Sequence, residues 1–337
     1  GAVPGRFRDL GIQDPFGLYQ AMAIGYHDKK RDVPAMSKDA WFDTNRHYVV
    51  PELEKDQVFR YASDKILREF MEAKEAGYHP KPVMTGPVTF LLLSSLKGDH
   101  TNKLDYLDPL LDVYRQILTD LHEQGATWIQ LDEPFLSISL SQPWQRAYRE
   151  AYGKLKEGAP GLMFMIATYG DVRPNSSFLP DLPVDAIHLD LVDAPGQLTP
   201  VIERLPESMT VSLGLVDGSN IWINDYEESL DLIVEAKKLK EDSRLMVATS
   251  DSLRHLPENL EQPGAGDQFS ARVKKCLACA REKLDEVVVL ARLSTLETLP
   301  EVKDLLSENS VQNREKKNAP VFRQPKVRKR IESIRPE

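Results

Sequence analysis

Gly125-Ala126-Thr127-Trp128-Ile129-Gln130-Leu131-Asp132-Glu133-Pro134 sets the pattern on which the rest of this chain is built: a short apolar run that ends in two carboxylates and a proline. The residues before it give the run its context. Asp108 stands at an N-cap position and Pro109 at the first helical one. Leu110, Val113, Tyr114, Ile117, Leu118 and Leu121 then recur at the spacing of one helix face, and Gly125 closes the end. A helix over 109–124 thus feeds at once into a strand over 127–131.

The unit repeats. Apolar runs at 83–85, 162–167, 186–189, 211–216 and 245–248 each break off into polar residues: Gly86-Pro87, Thr168-Tyr169-Gly170-Asp171, Asp190, Asp217-Gly218 and Thr249-Ser250-Asp251. Runs of this kind are the signature of buried parallel strands. Helices are predicted over 64–76, with Ile66, Leu67, Phe70 and Met71 on one stripe, over 226–240, and over 271–290, with Val273, Cys276, Leu277, Ala280, Leu284 and Val287. The fold class is therefore α/β, with chemistry at the rim where the strands end.

No Gly/Ser-rich linker interrupts residues 10–295, which argues for one domain over 1–295 and a basic, Pro-containing tail or interdomain linker over 296–337. Alternating strands and helices with right-handed crossovers leave two architectures, an open doubly wound sheet or a closed barrel. Six runs suit the open sheet, whereas a (β/α)8 barrel needs eight strands and about 250 residues.

Composition excludes several classes. No apolar run approaches the roughly 20 residues that span a bilayer, and Gly1-Ala2-Val3-Pro4-Gly5-Arg6 is no signal peptide, so a cytoplasmic protein without a membrane partner is expected. Two cysteines make no disulfide framework, and a net charge of −9 argues against nucleic acid. The basic stretch 314–330, with Arg314, Lys316, Lys317, Arg323, Lys326, Arg328, Lys329 and Arg330 around Pro320 and Pro325, reads as a solvated terminus.

Several residues invite chemistry. Adjacent carboxylates Asp132 and Glu133 stand where barrel enzymes carry acid and base groups, yet strand neighbours point to opposite sides, so one faces the mouth while the other meets a loop or helix. His188 and Asp190 alternate, hence share a face as a candidate hydrogen-bonded pair. Asn220 and Trp222, then Ser250, Asp251 and His255, follow later strands, and His255 is not spaced from a nucleophile as in a triad. Cys276 and Cys279 form a C-x-x-C, but with no second such pair to complete four ligands they read as small hydrophobes within the helix. No metal is expected in this chain.

Longer strings carry more. Trp41-Phe42-Asp43-Thr44-Asn45-Arg46-His47-Tyr48-Val49-Val50-Pro51-Glu52, Lys81-Pro82-Val83-Met84-Thr85-Gly86-Pro87-Val88-Thr89-Phe90 and Trp128-Ile129-Gln130-Leu131-Asp132-Glu133-Pro134 resemble, in order, the N-terminal domain of cobalamin-independent methionine synthase. Ala167-Thr168-Tyr169, Ile187-His188-Leu189-Asp190-Leu191-Val192, Leu213-Gly214-Leu215-Val216-Asp217-Gly218-Ser219-Asn220-Ile221-Trp222 and Ser250-Asp251-Ser252-Leu253-Arg254-His255 fall where that family has similar strings. The resemblance implies a (β/α)8 TIM-type barrel, the first of two, with its first two strands missing before Gly1; it, and not the count of runs, selects the barrel.

The resemblance also implies an activity: methyl transfer from 5-methyltetrahydrofolate polyglutamate to homocysteine, giving methionine. A free thiol has a pKa of about 8.5, so such transfer calls for metal activation. In the family the zinc and its His, Cys and carboxylate ligands belong to the C-terminal catalytic barrel, the implied partner, so this chain alone is expected to be inactive. Where this barrel would carry a family-like cysteine it has Asp251. Asp132, Glu133, His188, Asp190 and Asp251 become candidates for a rim or relic substrate site. The family holds the folate tail with a lysine just before the Trp-Phe pair. Here Ala40 stands there, and Lys38, Arg46 and Lys97 are the basic residues left to meet a polyglutamate at the interdomain cleft. Ala40 and Asp251 also suit an alternative, a diverged stand-alone barrel that binds or assembles without catalysis. A third reading, a lyase or decarboxylase, would need Asp132 or Glu133 in a deep pocket.

Overall fold

The computed structural model describes residues 3–42, 44, 46–55, 57–99, 101–261, 270–295, 300–318 and 324–334. It has a strand at each of the six apolar runs: β1 (Val83–Thr85), β2 (Trp128–Asp132), β3 (Met163–Ala167), β4 (Ala186–Asp190), β5 (Thr210–Val216) and β6 (Leu245–Thr249). Hydrogen bonds order them β6-β5-β4-β3-β2-β1 in one parallel α/β sheet, with Val83 opposite Gln130, Thr85 opposite Asp132 and Trp128 opposite Met163. β5 and β6 pair in the same sense, with a slip in register between Gly214 and Val216.

Contacts group the residues into two units, Gly1–Thr168 with Pro174–Ile187, and Tyr169–Arg173 with His188–Glu337, so that β4 contributes to both. In the first unit, α1 (Pro15–Ile24) starts at Asp14, whose carboxylate accepts from the Phe16 and Gly17 amides. Ala21 of α1 then packs with Phe7, Leu10 and Met36. α2 (Lys65–Glu75), α3 (Pro87–Leu93), α4 (Leu107–Glu123) and α5 (Gln142–Gly158) follow. α4 begins earlier than the sequence indicates. Asn102 caps a 3-10 turn over Lys103–Tyr106 that runs into the helix, so Asp108 lies in its first turn and not at the cap. Leu110, Tyr114, Leu118 and Leu121 are buried as the stripe requires. Along β2, Ile129 and Leu131 are fully buried, while Trp128, Gln130 and Asp132 on the other face are half-buried.

In the second unit β5 is buried along its whole length, as a parallel strand covered on both faces must be. The helices are α6 (Leu198–Ile202), α7 (Tyr226–Lys237), α8 (Ala280–Leu293), α9 (Pro300–Asn318) and α10 (Pro325–Ser333). The single helix expected over 271–290 is broken. After one turn at Ala271–Lys274 the chain leaves the helix, and α8 restarts with Cys279 as its N-cap. The cause lies elsewhere in the chain: Ala278 N donates to Ile221 O at 2.8 Å, Ile223 N donates to Cys276 O at 3.1 Å, and Leu277 bridges Trp222. Cys276 and Cys279 are buried, as small hydrophobes are, but on a pairing segment and not a helical stripe.

The stretch 296–317 includes most of α9, a docked helix. Asn309 Oδ1 accepts from Tyr226 N at 3.0 Å, the first amide of α7, whose own N-cap, Asp225, supplies no side-chain bond. Asn309 and Asn313 each donate to Asn224 O at 2.9 Å. Gly1, Ala2, Asp43, Asn45, Pro320 and Arg323, all named in the sequence reading, lie outside the described residues.

Candidate functional site

The strand ends of the first unit converge on Glu133. It follows β2 directly, its amide bonds Ala167 O at 2.8 Å, and its side chain is fully buried. Its Oε1 accepts from Val88 N at 3.2 Å and Tyr152 Oη at 2.9 Å, and Oε2 from Thr89 N at 2.8 Å and Tyr148 Oη at 3.0 Å. Val88 and Thr89 open α3, so the carboxylate sits at a helix N-terminus, where exposed amides and the helix dipole favour negative charge. Burial nevertheless dominates and pushes the Glu133 pKa up to about 7, against the lowering effect of the bonds from Thr89, Tyr152 and Tyr148. A carboxylate offers about four acceptor positions, and four protein donors fill them here. Gly86 makes the approach possible, since a Cβ there would lie 2.1 Å from Glu133 Oε1.

Asp132 is the half-buried member of the pair and accepts from Gln130 Nε2 at 2.9 Å. Lys81 lies on the same unit, its pKa lowered by burial and partly restored by the charge of Asp132. The two adjacent carboxylates thus occupy different environments, as strand alternation requires.

The polar rim of the second unit centres on β4. His188 is buried, with Nδ1 at 2.9 Å from Ser212 Oγ and Nε2 at 3.3 Å from Ser250 O. A carbonyl can only accept, so the ring hydrogen belongs on Nε2 and Nδ1 takes the Ser212 proton, which assigns the neutral imidazole. Gly214 leaves room for the ring: a Cβ would be 2.8 Å from His188 Cε1. Asp190 accepts from the amides of Gly170, Val192 and Asp193 at 3.1, 3.0 and 3.1 Å. Burial raises its pKa against those three bonds. Gln197 ties the two loops, donating to Asp190 O and Gly170 O and accepting from Val172 N. Asp251 is half-buried after β6, with its carbonyl where a Gly218 Cβ would fall, 2.3 Å away.

The basic candidates separate. Lys38 is exposed on a hairpin, strand Lys38–Ala40 against His47–Val49, and Arg46 is half-buried just before the return strand. Lys97 pairs with Glu52 at 3.4 Å. Burial disfavours charge on Glu52, but the Arg6 hydrogen bonds and the charges of Arg6 and Lys97 outweigh it and lower its pKa. The charge of Lys97 is therefore engaged. Beside the hairpin, Phe42 has φ +48, a strained value for a bulky residue, with its ring edge-on to Trp41 and Phe135 at 5.3 and 5.0 Å.

Sequence reasoning missed Tyr148, Tyr152, Thr89, Ser212 and Gln197 as partners of these groups. Only the tyrosines left a signal: four residues apart on an amphipathic helix, they share a face. Among the described residues no three or more His, Cys, Asp or Glu side chains are placed to hold a metal ion, and burial raises the pKa of both cysteine thiols. No helix among them is long and apolar enough to cross a membrane.

Comparison with known proteins adds the lineage. The profile of the cobalamin-independent synthase N-terminal domain matches residues 1–241. The chain belongs to this family. A relative of the synthase family from Parvibaculum lavamentivorans, named 5-methyltetrahydropteroyltriglutamate–homocysteine methyltransferase, is 40% identical over 339 residues, covering 100% of this chain and 44% of the relative. One of the same name from Flavobacterium johnsoniae is 38% identical over 338 residues, 99% of this chain and 44% of its own length. The chain therefore spans less than half the length of these relatives. A B12-independent methionine synthase from Shewanella sp. W3-18-1, solved with selenomethionine, superposes with a TM-score of 0.52 at 17% identity, over 74% of this chain and 72% of that one. That likeness concerns the fold alone, and with the six parallel strands it supports the TIM-type α/β fold that the sequence implied.

Proposed function

We propose that this chain is the N-terminal half of a cobalamin-independent methionine synthase, cytoplasmic as a whole enzyme, which transfers methyl from 5-methyltetrahydrofolate polyglutamate to homocysteine. The observation that carries the reading is end-to-end similarity, 38–40% identity over nearly the whole chain, to methyltransferases of which it spans 44%. In this reading zinc and the thiol-activating chemistry belong to a C-terminal catalytic barrel. The residues described here do not fit a zinc site: they offer no set of three ligands, and two buried thiols of raised pKa are poor thiolate donors. The role left to this chain is to support the catalytic barrel and to shape the folate side of the cleft between them. Lys38 and Arg46 are its best placed cations for a polyglutamate, by charge-assisted hydrogen bonds. Residues 1–295 would form the barrel domain and 296–337 the connection.

The test is a chimera. Residues 1–337 replace the matched segment of the Parvibaculum lavamentivorans relative, and methionine formation is assayed beside the parent enzyme and the isolated chain, with zinc quantified in each. The expected result is turnover by the chimera, and neither turnover nor stoichiometric zinc in the chain alone. Turnover or tight zinc in the isolated chain overturns the proposal. A folded chimera without activity favours the stand-alone binding barrel, to which Ala40 and Asp251 already point.

A further inference from the structure

A cavity of about 860 Å³ opens in the second unit between the ends of β4 and β5 and the helix α7. Its size is that of a small-molecule site. The wall is apolar, with Leu191, Leu215, Trp222 and Leu232. Trp222 is 38% exposed. The polar lining has one sign: carboxylates of Asp217, Asp225, Glu228, Asp231 and Glu235 against the single ammonium of Lys316, which bonds Ile223 O at 3.1 Å.

The arrangement on α7 is unfavourable in the free protein. Glu228, Asp231 and Glu235 recur at three and four residues and so share one helix face, where like charges repel. Lys317 approaches Asp225 and Glu228 at 3.0 Å each, and Glu235 accepts from the Thr199 hydroxyl, but Asp231 has no hydrogen bond or ion pair among the described residues. A cation placed there would relieve the repulsion, and Trp222 presents an indole for cation–π contact.

We propose that this cavity binds an organic cation with an apolar body, an alkyl- or arylalkyl-ammonium whose head meets Asp231 and Glu228 and whose body lies against Trp222 and Leu232. The same lining repels a polycarboxylate such as a folate tail, so the site is independent of the methyl-transfer reading.

Three probes of one shape test it on the full chain: 4-phenylbutylamine, 4-phenylbutan-1-ol and 4-phenylbutanoate, followed by calorimetry and by tryptophan fluorescence. The amine is expected to bind saturably, more tightly than the alcohol and far more tightly than the acid, and to weaken as salt is raised. Asp231→Asn, an exposed residue without a partner, is expected to weaken the amine about two- to fivefold, the range of an exposed charge pair, and to leave the alcohol unchanged. Trp222→Leu is expected to weaken both and to remove the fluorescence response, with the circular dichroism spectrum of each variant confirming its fold. Equal affinity for the three probes, no saturable binding of the amine, or amine binding indifferent to both substitutions would overturn the proposal.

Discussion

Glu133→Gln isolates one buried charge and gives it a pH signature. The carboxyl has a pKa of about 7 in the folded chain against an ordinary 4.5, because burial outweighs its four hydrogen bonds. Between those two values the native state holds a proton that the unfolded chain has lost. The group's contribution to stability is therefore complete below about pH 4.5, falls as pH rises, and is gone above about pH 7. A difference of about 2.5 pKa units corresponds to roughly 3 kcal/mol. Glutamine has the same shape but cannot ionise, and its amide nitrogen cannot accept. Whichever way it turns, that nitrogen faces either Val88 N with Tyr152 Oη or Thr89 N with Tyr148 Oη. A tyrosine hydroxyl can rotate to accept from it, but a backbone N–H cannot, so one buried donor is left unsatisfied at about 1–3 kcal/mol.

At pH 5 the variant should therefore be the less stable by about 1–3 kcal/mol. At pH 8.5 the wild type has lost its proton-linked contribution and the variant has not, so the gap should close or reverse. Urea unfolding followed by far-ultraviolet circular dichroism, on both proteins at both pH values, measures it. Taking the difference between the proteins cancels every other titrating group. A gap that stays the same, within about 0.5 kcal/mol, at pH 5 and pH 8.5 would refute the reasoning.

Two glycine substitutions should diverge in thermal unfolding. Gly86→Ala, whose Cβ would meet Glu133 Oε1 at 2.1 Å, should destabilise by about 1–3 kcal/mol or more. Gly153→Ala, inside α5 with nothing within 4 Å, should stabilise by about 0.5–1 kcal/mol. Asn309→Ala removes the cap that α9 gives α7 and should lower stability by about 1 kcal/mol, seen as faster amide exchange at the start of α7. Cys276 and Cys279, buried and with raised pKa values, should be slow towards Ellman's reagent in the native chain and react promptly in urea.

The strands were legible because a buried parallel strand reports itself through apolar residues alone, and each of the six runs needed no information from elsewhere in the chain. What depended on distant partners was not legible. Nothing local to 271–290 says that its backbone will pair with 221–223, so the helical spacing there persisted in the sequence while the bonds from Ala278 and Ile223 overrode it. The polar residues Asn309 and Asn313 suggested a solvated tail, because composition does not show that Asn224 O and Tyr226 N await them. Lys97 read as a free rim cation until Glu52, 45 residues earlier, proved to hold it.

The same distinction governs the candidate site. Asp132 and Glu133 look alike in the sequence, and alternation alone says only that they part company. The donors on α3 and α5 decide the rest, since they fill every acceptor position of Glu133 and leave Asp132 with Gln130 at a half-buried face. A group whose hydrogen-bonding capacity is saturated and whose surface is closed holds the strand end in place. If a substrate carboxyl or amine meets this rim, Asp132 is the member of the pair that can reach it, and Glu133 fixes where Asp132 stands.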